Sequence, residues 1–401
     1  MTGLLSAYQL SRQGIDYILI ESDRICGGTT GNTTAKITSQ HGLIYHKLLS
    51  RFGPDEAFSF YRLHQTAMNE YRTLAEKFSC DFETKPSLVW NSTAPGQVLQ
   101  ERSALEQLEI PHRFVEEAPI PTFTGGGICF EDQAQFHPLK FAAGLARELR
   151  IYEHTPAVKI RRGVVWTDSH TIQAKKIIVA THFPILNRHG LYFLKLYQQR
   201  SYVLALKNAE KPDGMYLDEG TNGISLRTQG DYVLLGGGGH RTGKKGGGWA
   251  ALEKLAGNYY PKAEIVARWA AQDCMSLDGL PYIGRYSPWT KDLFVATGFQ
   301  KWGMTSAMVS AMVLADLIQG RETPAQRLFD PSRSILRPQL AVNAAETTVN
   351  MLTPTVPRCP HLGCALKWNP QERSWDCPCH GSRFEEAGHL LENPAQRDLN
   401  A

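Results

Sequence analysis

Apolar positions along this chain fall into short blocks of two periods. Leu4, Leu5, Ala7, Tyr8 and Leu10 recur at helical spacing and stop near Gly14, which predicts an opening helix. "YILIE", Tyr17 to Glu21, then reads as a short buried strand. "FEDQAQFHPLKFAAGLARELR" (Phe130 to Arg150) predicts a turn followed by an amphipathic helix. "AKKIIVATHFPI" (Ala174 to Ile185) predicts a buried strand stopped by Pro184. "DGLPYIGR" (Asp278 to Arg285) is a Gly/Pro turn, and "LFVATGFQKWGMTSAMVSAMVLADLI" (Leu293 to Ile318) is strand, glycine loop and helix. Between these blocks, residues 51–129 and 186–274 alternate short strands with helices and polar loops, the pattern of an antiparallel-sheet domain. "LLGGGGHRTGKKGGG" (Leu234 to Gly248) follows a strand and reads as a mobile loop or a flexible turn. It lacks Walker spacing, so phosphate binding is not expected there.

Length and charge narrow the class. A chain of 401 residues predicts two or three domains. Hydrophobic residues at 42% support a sizeable core, and a net charge of +4 makes no case for nucleic acid. No secretory h-region is visible. The apolar run Met304 to Ile318 is too short to span a bilayer, so no transmembrane segment is expected, while peripheral membrane contact stays open. Cys26, Cys80, Cys129 and Cys274 stand alone, as ordinary thiols do in a reducing compartment; a cytoplasmic location is expected.

The helix-then-strand opening resembles half of a βαβ unit. Glu21 closes the strand where such folds grip a ribose hydroxyl, and Gly3 sits where the third glycine of G-x-G-x-x-G allows close helix–strand packing. The first strand and the first two glycines are absent. The expectation is that roughly ten residues are missing from the front, about one strand and a tight turn. Upstream DNA would test it.

The densest chemistry lies near the other end. "CPHLGC" (Cys359 to Cys364) and "CPCHGSRF" (Cys377 to Phe384) together offer Cys359, His361, Cys377 and His380, with Cys364 and Cys379 left over. Four such ligands suit a mononuclear zinc site, or a [2Fe-2S] centre with cysteines on one iron and histidines on the other. The two boxes resemble the Rieske family in its disulfide-carrying form. That resemblance implies Cys359 and Cys377 on one iron, His361 and His380 on the other, and a disulfide between Cys364 and Cys379. It also implies that Ser382 donates a hydrogen bond to the cluster. Phe384 stands where high-potential members carry tyrosine, so a midpoint below the respiratory range is expected. The segment before the first box has room for one strand at best, and Asn393 stands where the family usually has glycine before Pro-Ala.

Residues 1 to about 335, taken block by block, resemble the FAD-dependent oxidoreductases of the D-amino-acid oxidase and glycine oxidase type. The whole chain therefore looks like a bacterial FAD oxidoreductase fused to a Rieske domain. The implied fold is an α/β, Rossmann-like FAD-binding domain (about 1–50, 130–185 and 275–322) with an antiparallel-sheet substrate domain (about 51–129 and 186–274). Together these make a flavoprotein unit over 1–338. A linker over 339–356 and a small all-β Rieske domain over 357–401 follow. The resemblance places Gly3, Glu21, Gly27, Gly28, Thr29, Thr34, Ala35, Val158, Ala180, Thr181, Gly298, Gly303 and Met304 around FAD. The free N–H groups at the helix start near Gly303 would stabilise negative charge on the reduced ring. Lys36, Gln40, His41 and Arg200 are candidates for substrate or catalytic contacts.

The implied activity is oxidation of a small amine or amino acid, with electrons passing singly from FAD through the [2Fe-2S] cluster to an external one-electron acceptor. The competing reading is a non-catalytic or degenerate iron–sulfur protein that carries electrons or senses redox state.

Overall fold

The computed structural model describes residues 1–187, 189–323, 326–354 and 357–399. The opening apolar stripe forms the helix Thr2–Arg12, which buries Leu4, Leu5, Ala7, Tyr8 and Leu10. It lies against the helix Gly303–Ile318, whose small residues (Ala307, Ser310, Ala311) permit close approach. Leu19–Ile20 pairs in parallel with Ile151–Tyr152. Ile177–Val179 pairs in parallel with Leu293–Thr297, which also takes Tyr282–Arg285 antiparallel. Among the described residues no ladder joins these two pieces of sheet. A small antiparallel sheet of Lys159–Arg161, Val164–Trp166 and Thr171–Gln173 stands beside them.

The second layer is a nine-stranded sheet. Its main path runs Glu264–Ser276, Leu196–Lys207, Tyr232–Arg241, Ser225–Gln229, Met215–Asp218, Glu83–Trp90, Gly127–Gln135, Lys36–Ile37, and Arg113–Val115 pairs off this path with Gly127–Gln135. Pairing is antiparallel except between Met215–Asp218 and Glu83–Trp90. Two local expectations are corrected here. Phe130 to Gln135 is strand rather than turn, because Phe130 and Ala134 are core residues and Gln133 and Gln135 are buried with hydrogen-bonded amides. The glycine-rich stretch is mostly strand too: Tyr232–Arg241 continues through Gly236 to Gly239, with a bulge opposite Arg200 to Tyr202. A Cβ on Gly238 would lie 2.8 Å from the Gly248 carbonyl oxygen, so the glycines let the returning loop lie flat on the sheet.

The segment read as a linker is the helix Pro338–Leu352, whose buried residues are Asn343 and Asn350. Beyond it, Lys367–Asn369, Ser374–Asp376, Arg383–Glu385 and Leu390–Glu392 form a four-stranded antiparallel sheet. Its small core is built from Leu366, Phe384, Ala395 and four cysteines. No described helix is long and apolar enough to cross a membrane.

Candidate redox site

The two Cys/His boxes fold into matching loops. Gly363 N–H donates to Cys359 O (2.8 Å) and Cys359 N–H to Cys364 O (2.9 Å). In the second box Gly381 N–H donates to Cys377 O (2.9 Å) and Cys377 N–H to Ser382 O (2.9 Å). Both glycines take left-handed φ, 77° and 86°, which is why each box carries one at its fifth position. The loops face each other and bring four buried sulfurs and two imidazoles together. The rings of His361 and His380 stand 4.9 Å apart at 88°.

The imidazole tautomers follow from their partners. His380 Nε2–H donates to the Phe193 carbonyl oxygen (2.9 Å) and His361 Nε2–H to Asn187 Oδ1 (2.8 Å). With the proton on Nε2, each Nδ1 carries a free lone pair. Both Nδ1 atoms are buried without a hydrogen-bond partner. Burial pushes His361 down to about 4; burial, with His361 beside it, pushes His380 down to about 3. Both rings are therefore neutral at pH 7, the state a metal ligand requires. The Cys359 thiol is pushed up by its hydrogen bond to Cys377 and by burial, with the Ser382 hydroxyl opposing. Two inward Nδ1 lone pairs beside the Cys359–Cys377 sulfur pair fit a centre of the two-thiolate, two-imidazole kind.

The expected Cys364–Cys379 disulfide is a correction: all eight cysteines are free thiols. The Sγ atoms of Cys364, Cys377 and Cys379 lie within 4.8 Å of one another as a three-sulfur group, not joined at a bond length of ~2.05 Å, and the Cys379 thiol donates to Glu346 O (3.8 Å).

The histidine side of these loops rests on the larger domain. Phe183, fully buried, meets His361 edge-on at 6.2 Å and His380 at 6.1 Å. Asn393 Nδ2 donates to the Thr181 and Phe183 carbonyls (2.6 and 3.2 Å), so the residue that departs from the family glycine is used for docking. Arg200 is 2% exposed and reaches out of the large sheet to Glu372 and to Glu392 (2.8 Å). Arg383 pairs with Glu372 (2.8 Å), Glu392 (3.1 Å) and Asp376 (2.9 Å), closing a buried ionic network across the interface. The structure thus places Arg200 at a domain junction, with its guanidinium edges taken by carboxylates.

The other predicted residues are placed as follows. Gly3 packs on the first strand: a Cβ there would lie 3.2 Å from Leu19 Cδ1. Glu21 follows that strand and accepts from Ser22 Oγ (3.0 Å) and the Asp23 N–H (3.2 Å). Gly27 and Gly28 are exposed and lead into the short helix Thr29–Asn32; a Cβ on Gly31 would strike the Cys26 carbonyl oxygen at 2.6 Å. Thr29 Oγ1 donates to Gln272 O (2.8 Å), Thr34 is half-buried, and Ala35 has a left-handed φ of 51°. Lys36 donates to Tyr216 O and Ser225 Oγ (both 2.7 Å), and burial, with Arg227 nearby, pushes it down to about 7.

His41 stacks on Trp302 at 5.0 Å and is held well below its usual range by burial and His64. Gln40 Nε2 donates to Ile128 O (2.8 Å). Val158 is 51% exposed beside the small antiparallel sheet. Ala180 is half-buried, while Thr181 is exposed and donates to Phe183 O (2.8 Å). Gly298, Gln300 and Lys301 all take left-handed φ (73°, 54°, 69°), a strained approach to the helix that starts at Gly303. No side chain caps that helix, and Met304 sits buried in its first turn. Lys301 is exposed, though crowded by the surrounding chain, and its Nζ comes within 3.2 Å of where a Gly239 Cβ would stand. Burial pushes its ammonium down, with Asp273 opposing. An uncapped helix start approached by a loop in left-handed conformation, with the exposed glycines Gly27 and Gly28 leading into a second short helix, fits a bound anionic dinucleotide.

Sequence reasoning passed over Phe183, Asn187, Phe193, Gln198, Arg241 and Gln272, all of which touch the iron–sulfur module. The one local signal was the departure at Asn393.

This geometry defines a flavoprotein joined to an iron–sulfur module, and comparison with known proteins divides the chain the same way. Residues 1–317 match the FAD dependent oxidoreductase family and residues 333–401 the Rieske [2Fe-2S] domain. The chain belongs to the FAD dependent oxidoreductase family and carries a C-terminal Rieske domain; its cofactors are FAD and a [2Fe-2S] cluster. It is 33% identical over 464 aligned positions to YhfW of Bacillus subtilis (strain 168), named as a Rieske 2Fe-2S iron-sulfur protein, covering 100% of this chain and 91% of that one. The fold is similar to glycine oxidase from Geobacillus kaustophilus (TM-score 0.68, 19% identity, 83% of this chain and 96% of that one). It is also similar to L-proline dehydrogenase from P. horikoshii (TM-score 0.69, 16% identity, 83% and 94%).

Proposed function

We propose that the protein oxidises a small amine or amino acid with FAD and passes the electrons one at a time to its Rieske centre for an external acceptor. The observation that carries this is the docking of both cluster-side imidazoles, through Nε2, onto Asn187 and Phe193 of the flavoprotein, with Phe183 against both rings. Bound FAD would supply hydride acceptance from the C–H beside the amine, and the cluster would supply one-electron relay.

The chain's own residues do the rest. Cys359, Cys377, His361 and His380 hold the iron. Glu21 and the 27–35 loop receive the dinucleotide, and the helix start at Gly303 and Met304 faces its ring. Lys36, near neutrality, can hold or release a proton at Nζ. Lys301, exposed next to the loop that leads into Gly303, offers a cation to an amino-acid carboxylate. The helix Pro338–Leu352 ties the two units together through Asn343, which donates to Leu194 O (3.1 Å) and accepts from Arg241 (2.9 Å).

The test is cofactor analysis and anaerobic titration. Purified protein should hold one FAD and two irons per chain, and one compound from an amino-acid and amine panel should reduce both chromophores. A colourless protein containing zinc, or one in which no amine bleaches the flavin, contradicts the proposal.

A further inference from the structure

Four successive backbone carbonyls of the second ligand loop accept hydrogen bonds, and every donor belongs to the flavoprotein. Arg241 Nε donates to Pro378 O (3.0 Å) and Arg241 Nη2 to Cys379 O (3.1 Å). Gln198 Nε2 donates to His380 O (2.9 Å) and Gln272 Nε2 to Gly381 O (2.8 Å). Gln198 also reaches Asn393 O (3.0 Å). The backbone of the first ligand loop is held differently, by Arg358 Nη1 donating to Gly363 O (2.7 Å) and by Ala365 N–H donating to Asn350 O on the connecting helix (2.9 Å); its contact with the flavoprotein is through the His361 side chain on Asn187.

The donors stand on three neighbouring strands of the large sheet, or at their ends. Gln198 and Gln272 are each 1% exposed. Burying a primary amide costs free energy unless its N–H groups are taken up. Here the Nε2–H groups are taken up by the ligand loop, and Thr242 Oγ1 donates to Gln272 Oε1 (2.8 Å), while Gln198 Oε1 is buried without a partner. The contact is close on both sides. A Cβ on Gly381 would lie 2.6 Å from Gln198 Cβ, and one on Gly243 would lie 2.6 Å from the Pro378 nitrogen. Little slack is left for the loop to shift without the sheet.

We propose that Arg241, Gln198 and Gln272 are positioning residues for the iron–sulfur centre: they complete its second ligand loop from the flavoprotein side and set both its potential and its hold on iron. Two effects follow. Fixing four consecutive peptides restrains Cys377 and His380, one ligand for each iron. The Arg241 guanidinium also places a positive charge against the loop, and local charge is one of the levers on cluster potential. The two ligand loops are therefore held unequally: the flavoprotein touches the first through the His361 side chain and the second along four backbone carbonyls.

The experiment uses the full chain with both cofactors and dithionite as reductant, so it does not depend on any amine being a substrate. Arg241→Met should lower the cluster midpoint, alter the g-values of the reduced cluster, and speed iron loss to a chelator by roughly tenfold, the usual cost of losing a supporting partner. Arg241→Lys should restore most of the potential, because the charge returns, but not the iron retention, because the paired donation does not. Flavin content and the flavoprotein's melting point serve as the folding control. If Arg241→Met misfolds, Gln198→Leu is read in the same way and should also speed iron loss. A folded Arg241→Met or Gln198→Leu protein with wild-type midpoint, g-values and iron retention overturns the proposal.

Discussion

Replacing Arg200 with Met separates a docking role from a substrate role. The side chain is 2% exposed, and its partners Glu372 and Glu392 both lie on the Rieske unit. Removing one member of a buried ion pair typically costs about 3–5 kcal/mol. Arg383 remains bonded to both carboxylates, and Tyr202 OH donates to Glu372 (3.2 Å), so the lower end, about 3 kcal/mol, is expected. That is on the order of a hundredfold in the docked-to-undocked ratio. Burial alone would push Glu372 up, but Arg200 and then Arg383 more than offset this and its carboxyl sits below the usual range. A lowered carboxyl stabilises above its unfolded pKa and loses that contribution as pH falls through the folded one. Acid should therefore loosen the interface of the wild type, and less so that of the variant.

The assay is urea denaturation read separately by flavin absorbance and by the visible circular dichroism of the cluster. It compares Arg200→Met, Glu372→Gln and the pair. The variant should lose cluster signal at lower urea than flavin signal, and the two substitutions should couple by about 1–3 kcal/mol. A single variant within 0.5 kcal/mol of wild type, or strict additivity, would refute the reasoning. A raised KM with unchanged stability would return Arg200 to the substrate site.

Further outcomes are expected elsewhere. Asp278 is pushed up by burial but held down to about 2 overall by Arg333 and Arg51, so its stabilisation, about 2 kcal/mol, is present above pH 4 and lost between pH 4 and 2. Asp278→Asn should flatten the melting-point profile in that window, and an unchanged slope would argue against it. Gly31→Ala places a methyl 2.6 Å from the Cys26 carbonyl oxygen and should cost about 1–3 kcal/mol of strain, read as several-fold weaker flavin retention on dialysis; full retention would count against the 27–35 loop as a flavin contact. Phe384→Tyr introduces a hydroxyl at a fully buried ring beside the cluster loops and should raise the midpoint, whereas an unchanged or lower midpoint would contradict the assignment.

Local chemistry was legible in the chain, and long-range contact was not. The paired C-P-x-x-G boxes announced the ligand loops because their spacing and turns are properties of a few adjacent residues. The helices Thr2–Arg12 and Gly303–Ile318 were legible for the same reason, since their apolar period is local. The glycine run at 236–239 misled because glycine signals a turn by default; here it marks close approach of a second backbone, which no local pattern records. Arg200 read as a site candidate from its place in a segment resembling the oxidoreductases, and its carboxylate partners stand 172 and 192 positions away, where no local pattern shows them. Gln198, Arg241 and Gln272 donate to backbone carbonyls, so their targets carry no side-chain identity that a sequence could display. The spare sulfurs of Cys364 and Cys379 were expected as a disulfide and lie in contact as free thiols.

The most direct test is rapid mixing of the oxidised, fully loaded protein with its amine under anaerobic conditions, followed optically and by freeze-quench EPR. The docked imidazoles predict that flavin bleaching precedes a Rieske EPR signal, and that this signal grows at a rate independent of protein concentration. A cluster that stays oxidised while the flavin is reduced and then turns over with oxygen would contradict the account.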